Sequence, residues 1–208
     1  MASSPGTLHY FDNNLQVHRL VVGPYDNNVF VVRCVHTGQA VLIDAANEHE
    51  KLLELCTALG VTRVLETHGH HDHIQAVPAM REAGYEVAVT ADDAQMLKDV
   101  GYDVFIEHGQ VIEVGRLRLE AIHNPGHTPG SVSFKVHDAP LLFSGDTLFP
   151  GGPGATHFPG GDFATIISSI DSRLFTFPGD TVVLPGHGAD TTIATERPHL
   201  QEWIDRGW

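Results

Sequence analysis

The sequence is poor in cysteine, in basic side chains and in long apolar runs. Two cysteines, Cys34 and Cys56, stand among 208 residues, and no Cys-x-x-Cys occurs. That leaves no basis for a disulfide framework or a cysteine-built zinc knuckle. Both sit in apolar surroundings, VFVVRCVH and KLLELCTAL, where they read as small buried core residues. No apolar run approaches the roughly 18 residues that a membrane span needs. The stretch MASSPGTLHYFDNN has neither a basic n-region nor an apolar h-region, so no signal peptide is expected and the cytoplasm is the default compartment. Lys and Arg number 12 against 26 Asp and Glu, a formal charge of −14. A surface that acidic argues against nucleic acid and anionic membranes as partners. Bound divalent cations would offset part of it.

Histidine, by contrast, is abundant. Fifteen residues, dispersed rather than gathered in a tag, are roughly two to three times ordinary usage. Hydrophobic residues make up 42% of the chain, which excludes a disordered polymer and suits one domain over 1–208 with a sizeable core.

Periodicity places strands at 15–23, 28–35 and 40–44, a helix at 48–60 closed by Gly60, and a strand at 61–68. A helix at 73–84, a strand at 85–90 and a helix at 91–101 complete an alternating first half. The second half changes character. VIEVG, RLRLEAIHN, GSVSFKVH and APLLFSGD read as successive strands, followed by a long Gly- and Pro-rich loop over 147–163. A loop of that length in a compact domain is usually functional or mobile. A helix at 164–175, a strand and loop at 181–188 and a helix at 194–204 finish the chain. Periodicity alone supports a mixture of α and β, and the two-halves pattern suggests an α/β fold with two β-sheets stacked face to face and helices outside.

The stretch ETHGHHDHIQAVPAM puts four histidines and one aspartate into six positions, 68 to 73, at the end of a predicted strand. Histidine and aspartate are ligands for zinc and similar divalent ions. One stretch rarely closes a catalytic site, so partners are expected at isolated loop starts. Three qualify: His127 in NPGHTPGS, Asp146 in FSGDTLF and His187 in LPGHG, each following a strand and flanked by glycine. A carboxylate can bridge two cations, which suits Asp146 to that place. The remaining histidines, among them His9, His18, His36, His49, His108, His123, His137 and His199, read as ordinary polar residues. His157 in the long loop is a candidate for the pocket.

The order His-x-His-x-Asp-His, then His, Asp and His resembles the metallo-β-lactamase superfamily over essentially the whole chain. The resemblance implies the αββα four-layer sandwich, with metals at one edge between the sheets. It assigns His68, His70 and His127 to a first metal and Asp72, His73 and His187 to a second, with Asp146 between them. His71 falls at a non-ligand position and is expected in the pocket wall. True β-lactamases resemble one another in having cysteine where Asp146 stands, and lactonases often have tyrosine where Phe149 stands. SGDTLF and PGHTPGS are more similar to short glyoxalase II-like (hydroxyacylglutathione hydrolase-like) thioesterases and to persulfide dioxygenases. The loop departs from many of these at Gly154-Ala155-Thr156-His157-Phe158, which lacks their Arg and Asp, and no larger C-terminal helical domain is expected. The thiol carrier is therefore left open.

The resemblance implies two divalent cations, Zn²⁺ first, that activate a shared water against a small-molecule acyl-thiol. Asp72 would orient that water and take its proton. Asp162 and Thr147 are expected to orient ligand imidazoles, and Phe149, His157, Phe158 and Phe163 to line the pocket. The alternative is a single Fe²⁺ on His68, His127 and Asp146 that oxidises a persulfide. A lactonase or other small-ester hydrolase, and a non-catalytic metal-binding module, stand further off. Oligomeric state is not legible.

Overall fold

The structure, a computed structural model, describes residues 6–207. Its strands are β1 (Leu8–Phe11), β2 (Leu15–Val22), β3 (Asn27–Cys34), β4 (Ala40–Ile43), β5 (Val61–Leu65), β6 (Glu86–Thr90), β7 (Val104–Ile106), β8 (Val111–Val114), β9 (Leu117–His123), β10 (Val132–Val136), β11 (Leu141–Gly145), β12 (Leu148–Phe149), β13 (Gly152–Pro153), β14 (Val182–Pro185) and β15 (Thr191–Thr192). The α-helices are α1 (His49–Leu59), α2 (His71–Ile74), α3 (Val77–Glu82), α4 (Phe163–Ser169), α5 (Ile193–Glu196) and α6 (Leu200–Arg206).

Strands β1 to β7 form one sheet in sequence order. It is antiparallel through β4 and parallel from β4 to β7. The second sheet runs β15-β14-β11-β10-β9-β8, with β11 and β14 parallel. Alternation decides which face each side chain covers. Along β3, Phe30 and Val32 point between the sheets and meet Leu119, Phe134, Phe143 and Leu184. Their neighbours Val29 and Val31 point outward to Leu52, Leu55 and Met80 of α1 and α3. On the far side Ile122, Leu142 and Val183 pack against Ile166 and Trp203 of α4 and α6. Helix, sheet, sheet and helix thus make the four layers, and this is the metallo-β-lactamase fold. The rings of Phe30 and Phe143 meet across the central layer, 5.2 Å between centroids. Each such side chain contributes roughly 1.5–3 kcal/mol on burial. Cys34 and Cys56 are buried free thiols, as expected.

Several elements differ from the sequence expectation. The helix expected at 91–101 is a 3-10 turn, Ala91–Asp93, followed by further turns. Asp93 is wholly buried and its carboxylate is taken up by tertiary hydrogen bonds, so the segment is bent to serve them. The helix expected at 73–84 splits into α2 and α3, with Pro78 in the first turn of α3, where its missing N–H costs nothing. Helix 194–204 is broken by a 3-10 turn at Arg197–His199 that contains Pro198. Helix 164–175 ends in a π-helical turn, Ile170–Leu174. The loop 147–163 contains the small β12–β13 hairpin. The short strands β1, β7 and β15 were not anticipated.

Candidate metal centre

Every ligand-type residue lies just beyond the C-terminal end of a strand, at one edge of the sandwich. β5 leads to His68, His70, Asp72 and His73, and β9 leads to His127. β11 leads to Asp146 and β14 to His187. The separate strands bring their ends together because the two sheets stack with these ends on the same side.

Three groups of donor atoms result, each within 4.8 Å: His68 with His70 and His127, His68 with His73 and Asp146, and Asp72 with His73 and His187. His70 Nδ1 and His127 Nε2 are 2.8 Å apart. On the other side, His73 Nε2 stands 3.4 Å from Asp72 Oδ2 and 3.2 Å from His187 Nε2. Asp146 sits between. Its Oδ2 is 3.7 Å from His127 Nε2 and 3.5 Å from His187 Nε2, and its Oδ1 is 3.5 Å from His73 Nε2. All seven expected ligands therefore converge.

The donor set fits divalent cations. His68 Nε2 and Asp146 Oδ1 are buried without any hydrogen-bond partner, an arrangement that costs energy unless a cation takes the lone pairs. The outward nitrogens of four rings, in contrast, are occupied. His73 Nδ1 donates to Asp44 Oδ2 at 2.8 Å, His127 Nδ1 to the Ala155 carbonyl at 2.6 Å and His187 Nδ1 to the Tyr25 carbonyl at 2.9 Å. Thr67 Oγ1 donates its one proton to Asp44 Oδ2, so at 3.0 Å it accepts from His68 Nδ1. These contacts turn Nε2 of all four rings inward, where each ring offers it as a ligand once neutral. Space is tight as well. A Cβ on Gly186 would stand 2.8 Å from His73 Cε1, so only glycine passes there.

Asp44 holds the inner shell at some strain. Its φ is 62°, in the left-handed region that aspartate tolerates better than most residues. From there its two oxygens accept from Thr67 N, Thr67 Oγ1 and His73 Nδ1. Asn28 pins the His187 loop through the Pro185 and Gly188 carbonyls, and Asn27 Nδ2 donates to Asp72 Oδ2 at 2.9 Å. Sequence reasoning missed Asp44, Asn27 and Asn28. The only signal was polar residues at the ends of apolar strands. The groups it named for this task do otherwise. Asp162 is exposed and caps α4 through Thr165 N, and the Thr147 hydroxyl is buried without a partner.

The imidazoles divide electrostatically. Burial pulls His68 well below the ordinary histidine range, with neighbouring imidazoles adding to it. Burial likewise takes His70 down to about 4 and lowers His127, although Asp146 opposes this in both. Burial also works against a charged His73, but Asp146 and Asp44 outweigh it and raise this ring well above its usual value. His187 is raised against burial by Asp72 and Asp146. Burial would raise Asp72, yet the His187 hydrogen bond, the His73 charge and the Asn27 amide hold its carboxyl far below the usual range.

Among the expected pocket residues, Phe158 is 46% exposed and meets the His70 ring edge-on at 5.4 Å, and His157 packs on Phe158 at 4.1 Å. Phe149 lies nearly parallel to the His187 ring at 6.5 Å. His71 is exposed at the start of α2, and Phe163 packs against the outer core beneath α4 rather than at the centre. A depression of about 700 Å³ elsewhere, lined by Pro78, Arg81, Tyr85 and Asp103 among others, shares no residue with the centre.

A family model, the metallo-beta-lactamase superfamily, matches residues 22–187. The chain is 33% identical over 178 residues to hydroxyacylglutathione hydrolase GloC of Haemophilus influenzae, covering 76% of this chain and 84% of that one. It is 35% identical over 156 residues to the mitochondrial persulfide dioxygenase ETHE1 of Homo sapiens, covering 72% of this chain and 59% of that one. Among solved structures, TTHA1623 in a di-iron-bound form superposes with a TM-score of 0.78 at 32% identity, over 86% of this chain and 96% of that one. Among the described residues no helix is long and apolar enough to cross a membrane.

Proposed function

The chain belongs to the metallo-beta-lactamase superfamily, and on that premise we propose that it is a two-metal thioester hydrolase of the hydroxyacylglutathione hydrolase kind, acting on a small acyl-thiol. The observation that carries this reading is the pair of donor groups His68–His70–His127 and Asp72–His73–His187 with Asp146 standing between them, His68 Nε2 and Asp146 Oδ1 being buried and unpartnered. His68, His70 and His127 would hold one cation, Asp72, His73 and His187 the other, and Asp146 would serve both. Zn²⁺ is the first choice, since imidazole and carboxylate both suit it. When bound, the cations supply Lewis acidity and a water that ionises near neutral pH.

The chain's own residues do the rest. Asp72 keeps its carboxylate ionised, so it accepts a hydrogen bond from the attacking water and orients it. A proton that reaches Asp72 is passed on readily, because the neighbouring His187, His73 and Asn27 favour the charged form. Asp44, Thr67 and the Ala155 and Tyr25 carbonyls keep the imidazoles aimed while charge builds on the carbonyl oxygen. Phe149 and Phe158 flank the two sides of the mouth and shield the reacting carbonyl from bulk water.

A second reading rests on the similarity to ETHE1, comparable to GloC in percent identity though over fewer residues and a smaller share of that protein. His68, His127 and Asp146 form a two-histidine, one-carboxylate set of the kind that holds Fe²⁺ for O₂ chemistry, with a low-molecular-weight persulfide as substrate. The di-iron-bound state of TTHA1623 keeps iron in view for either reading. The deciding experiment is elemental analysis of untagged protein, with thioester hydrolysis and persulfide-dependent O₂ uptake assayed on the same sample. Two zincs with thioester hydrolysis support the first reading; one iron with O₂ uptake replaces it with the second.

A further inference from the structure

The three histidines of the first half come from two loops, and a single buried side chain ties those loops together. Asp93, at the end of the 3-10 turn after β6, is 0% exposed. Its Oδ2 accepts from the backbone N–H of Gly69 at 2.8 Å and from Thr128 Oγ1 at 2.7 Å. Its Oδ1 accepts from the backbone N–H of Gly130 at 2.7 Å. Gly69 lies between His68 and His70, and Thr128 directly follows His127. Thr90, three residues earlier, donates to the Gly130 carbonyl at 2.6 Å and holds the same loop from the other side.

Every partner of Asp93 is a donor, so the position takes a group that only accepts. A carboxylate does that; an amide would turn an N–H₂ toward an N–H. The packing leaves no slack. A Cβ on Gly69 would reach within 2.6 Å of Met96 Cβ, and one on Gly130 within 2.6 Å of the Asp93 carboxyl carbon. No ligand of the second half other than through its chain neighbours depends on this clamp, since Asp72, His73 and His187 are held by Asn27, Asp44 and Tyr25.

We propose that Asp93 is the positioning residue of the imidazole half of the centre: it sets the spacing between the His68–His70 loop and the His127 loop, and so the affinity of that half for a divalent cation. This rests on the ligand assignment above but holds whether the reaction is hydrolysis or oxidation. The test is Asp93→Asn, compared with the wild type by zinc stoichiometry, by competition with a chelating dye and by the visible spectrum of the Co²⁺-loaded protein, with circular dichroism to follow the fold. We expect the fold to be retained, zinc affinity of one site to fall about 10- to 100-fold, the other to change little, and the Co²⁺ spectrum to lose one component. Two sites of unchanged affinity, or both sites weakened equally, would overturn the proposal. If Asp93→Asn does not fold, Thr128→Val decides, because it removes one of the three donors. Weakening of one site supports the clamp, and unchanged affinities refute it. A wild type that binds one metal only would refute the two-metal reading instead, and Asp93 would then be judged on the affinity of that metal.

Discussion

The two halves of the metal centre are built to opposite electrostatic plans. The first half, His68, His70 and His127, is three imidazoles kept neutral by burial and by one another. The second half adds a carboxylate of its own, Asp72, and its histidines His73 and His187 lie close enough to Asp72, Asp44 and Asp146 to be raised rather than lowered. The first half is therefore ready to bind a cation without releasing protons. The second must give protons up, but offers more negative charge in return. The same types of ligand thus serve differently according to which carboxylates stand beside them.

The largest perturbation should come from the one residue that the halves share. Asp146→Ala is expected to lose metal from both sites and to abolish turnover, as read by elemental analysis and by the thioester assay. Full metal content in that variant would erase the division altogether. Next in size is Asp44→Asn, which leaves one acceptor oxygen for the three donors Thr67 N, Thr67 Oγ1 and His73 Nδ1 and turns an N–H₂ toward the others. Loss of such an outer partner costs about 10- to 100-fold in metal affinity, and here the larger loss should fall on the second half through His73, with a smaller one on the first through Thr67 and His68, the reverse of the order expected for Asp93→Asn. Chelator competition on the two variants side by side would show whether the halves are separable.

The pH dependence sharpens the comparison. As pH falls from about 8 to about 6, toward and through the ordinary imidazole range near 6.5, protons compete for His73 and His187 ahead of the other rings, because their values are raised. Metal affinity of the second half should then drop by about tenfold per pH unit for each proton that binding must displace. The first half should change little until its lowered histidines titrate. Dialysis at the two pH values followed by metal analysis should leave one metal at the lower pH. In metal-free protein the sign for stability is the reverse: raised His73 stabilises the fold below the unfolded imidazole range, and that contribution is lost as pH rises through its folded value. The smallest effect is expected from Phe158→Ala. This variant should keep its metals and raise KM by a few-fold, through loss of an apolar contact of roughly 1 kcal/mol; unchanged kinetics would remove Phe158 from the mouth.

Much of the centre was legible without coordinates, for a physical reason. Metal ligands must be particular residue types, so His68, His70, Asp72, His73, His127, Asp146 and His187 stand out against glycine-rich surroundings wherever they fall. The alternation of Phe30 and Val32 with Val29 and Val31 likewise announces a strand with two apolar faces, and so two covered sides. Supporting groups carry no such mark. Asp93 lies in ADDAQMLKDVG, which has helical periodicity, and nothing local reveals that its carboxylate holds two distant loops. Asp162 and Thr147, named from the sequence for such support, are a helix cap and a buried hydroxyl.

The sequence by itself determined most strand positions and the mixture of α and β, which depend on residue type at short spacing, and through its ordered motif it pointed to the candidate ligands. Only the tertiary structure decided which ring nitrogen faces the centre, which histidines are raised and which lowered, and which carboxylates hold the frame. Those properties arise from distances between side chains far apart in the chain. Electrostatic and hydrogen-bond energies vary steeply with such distances, and the stacking of the two sheets is what sets them.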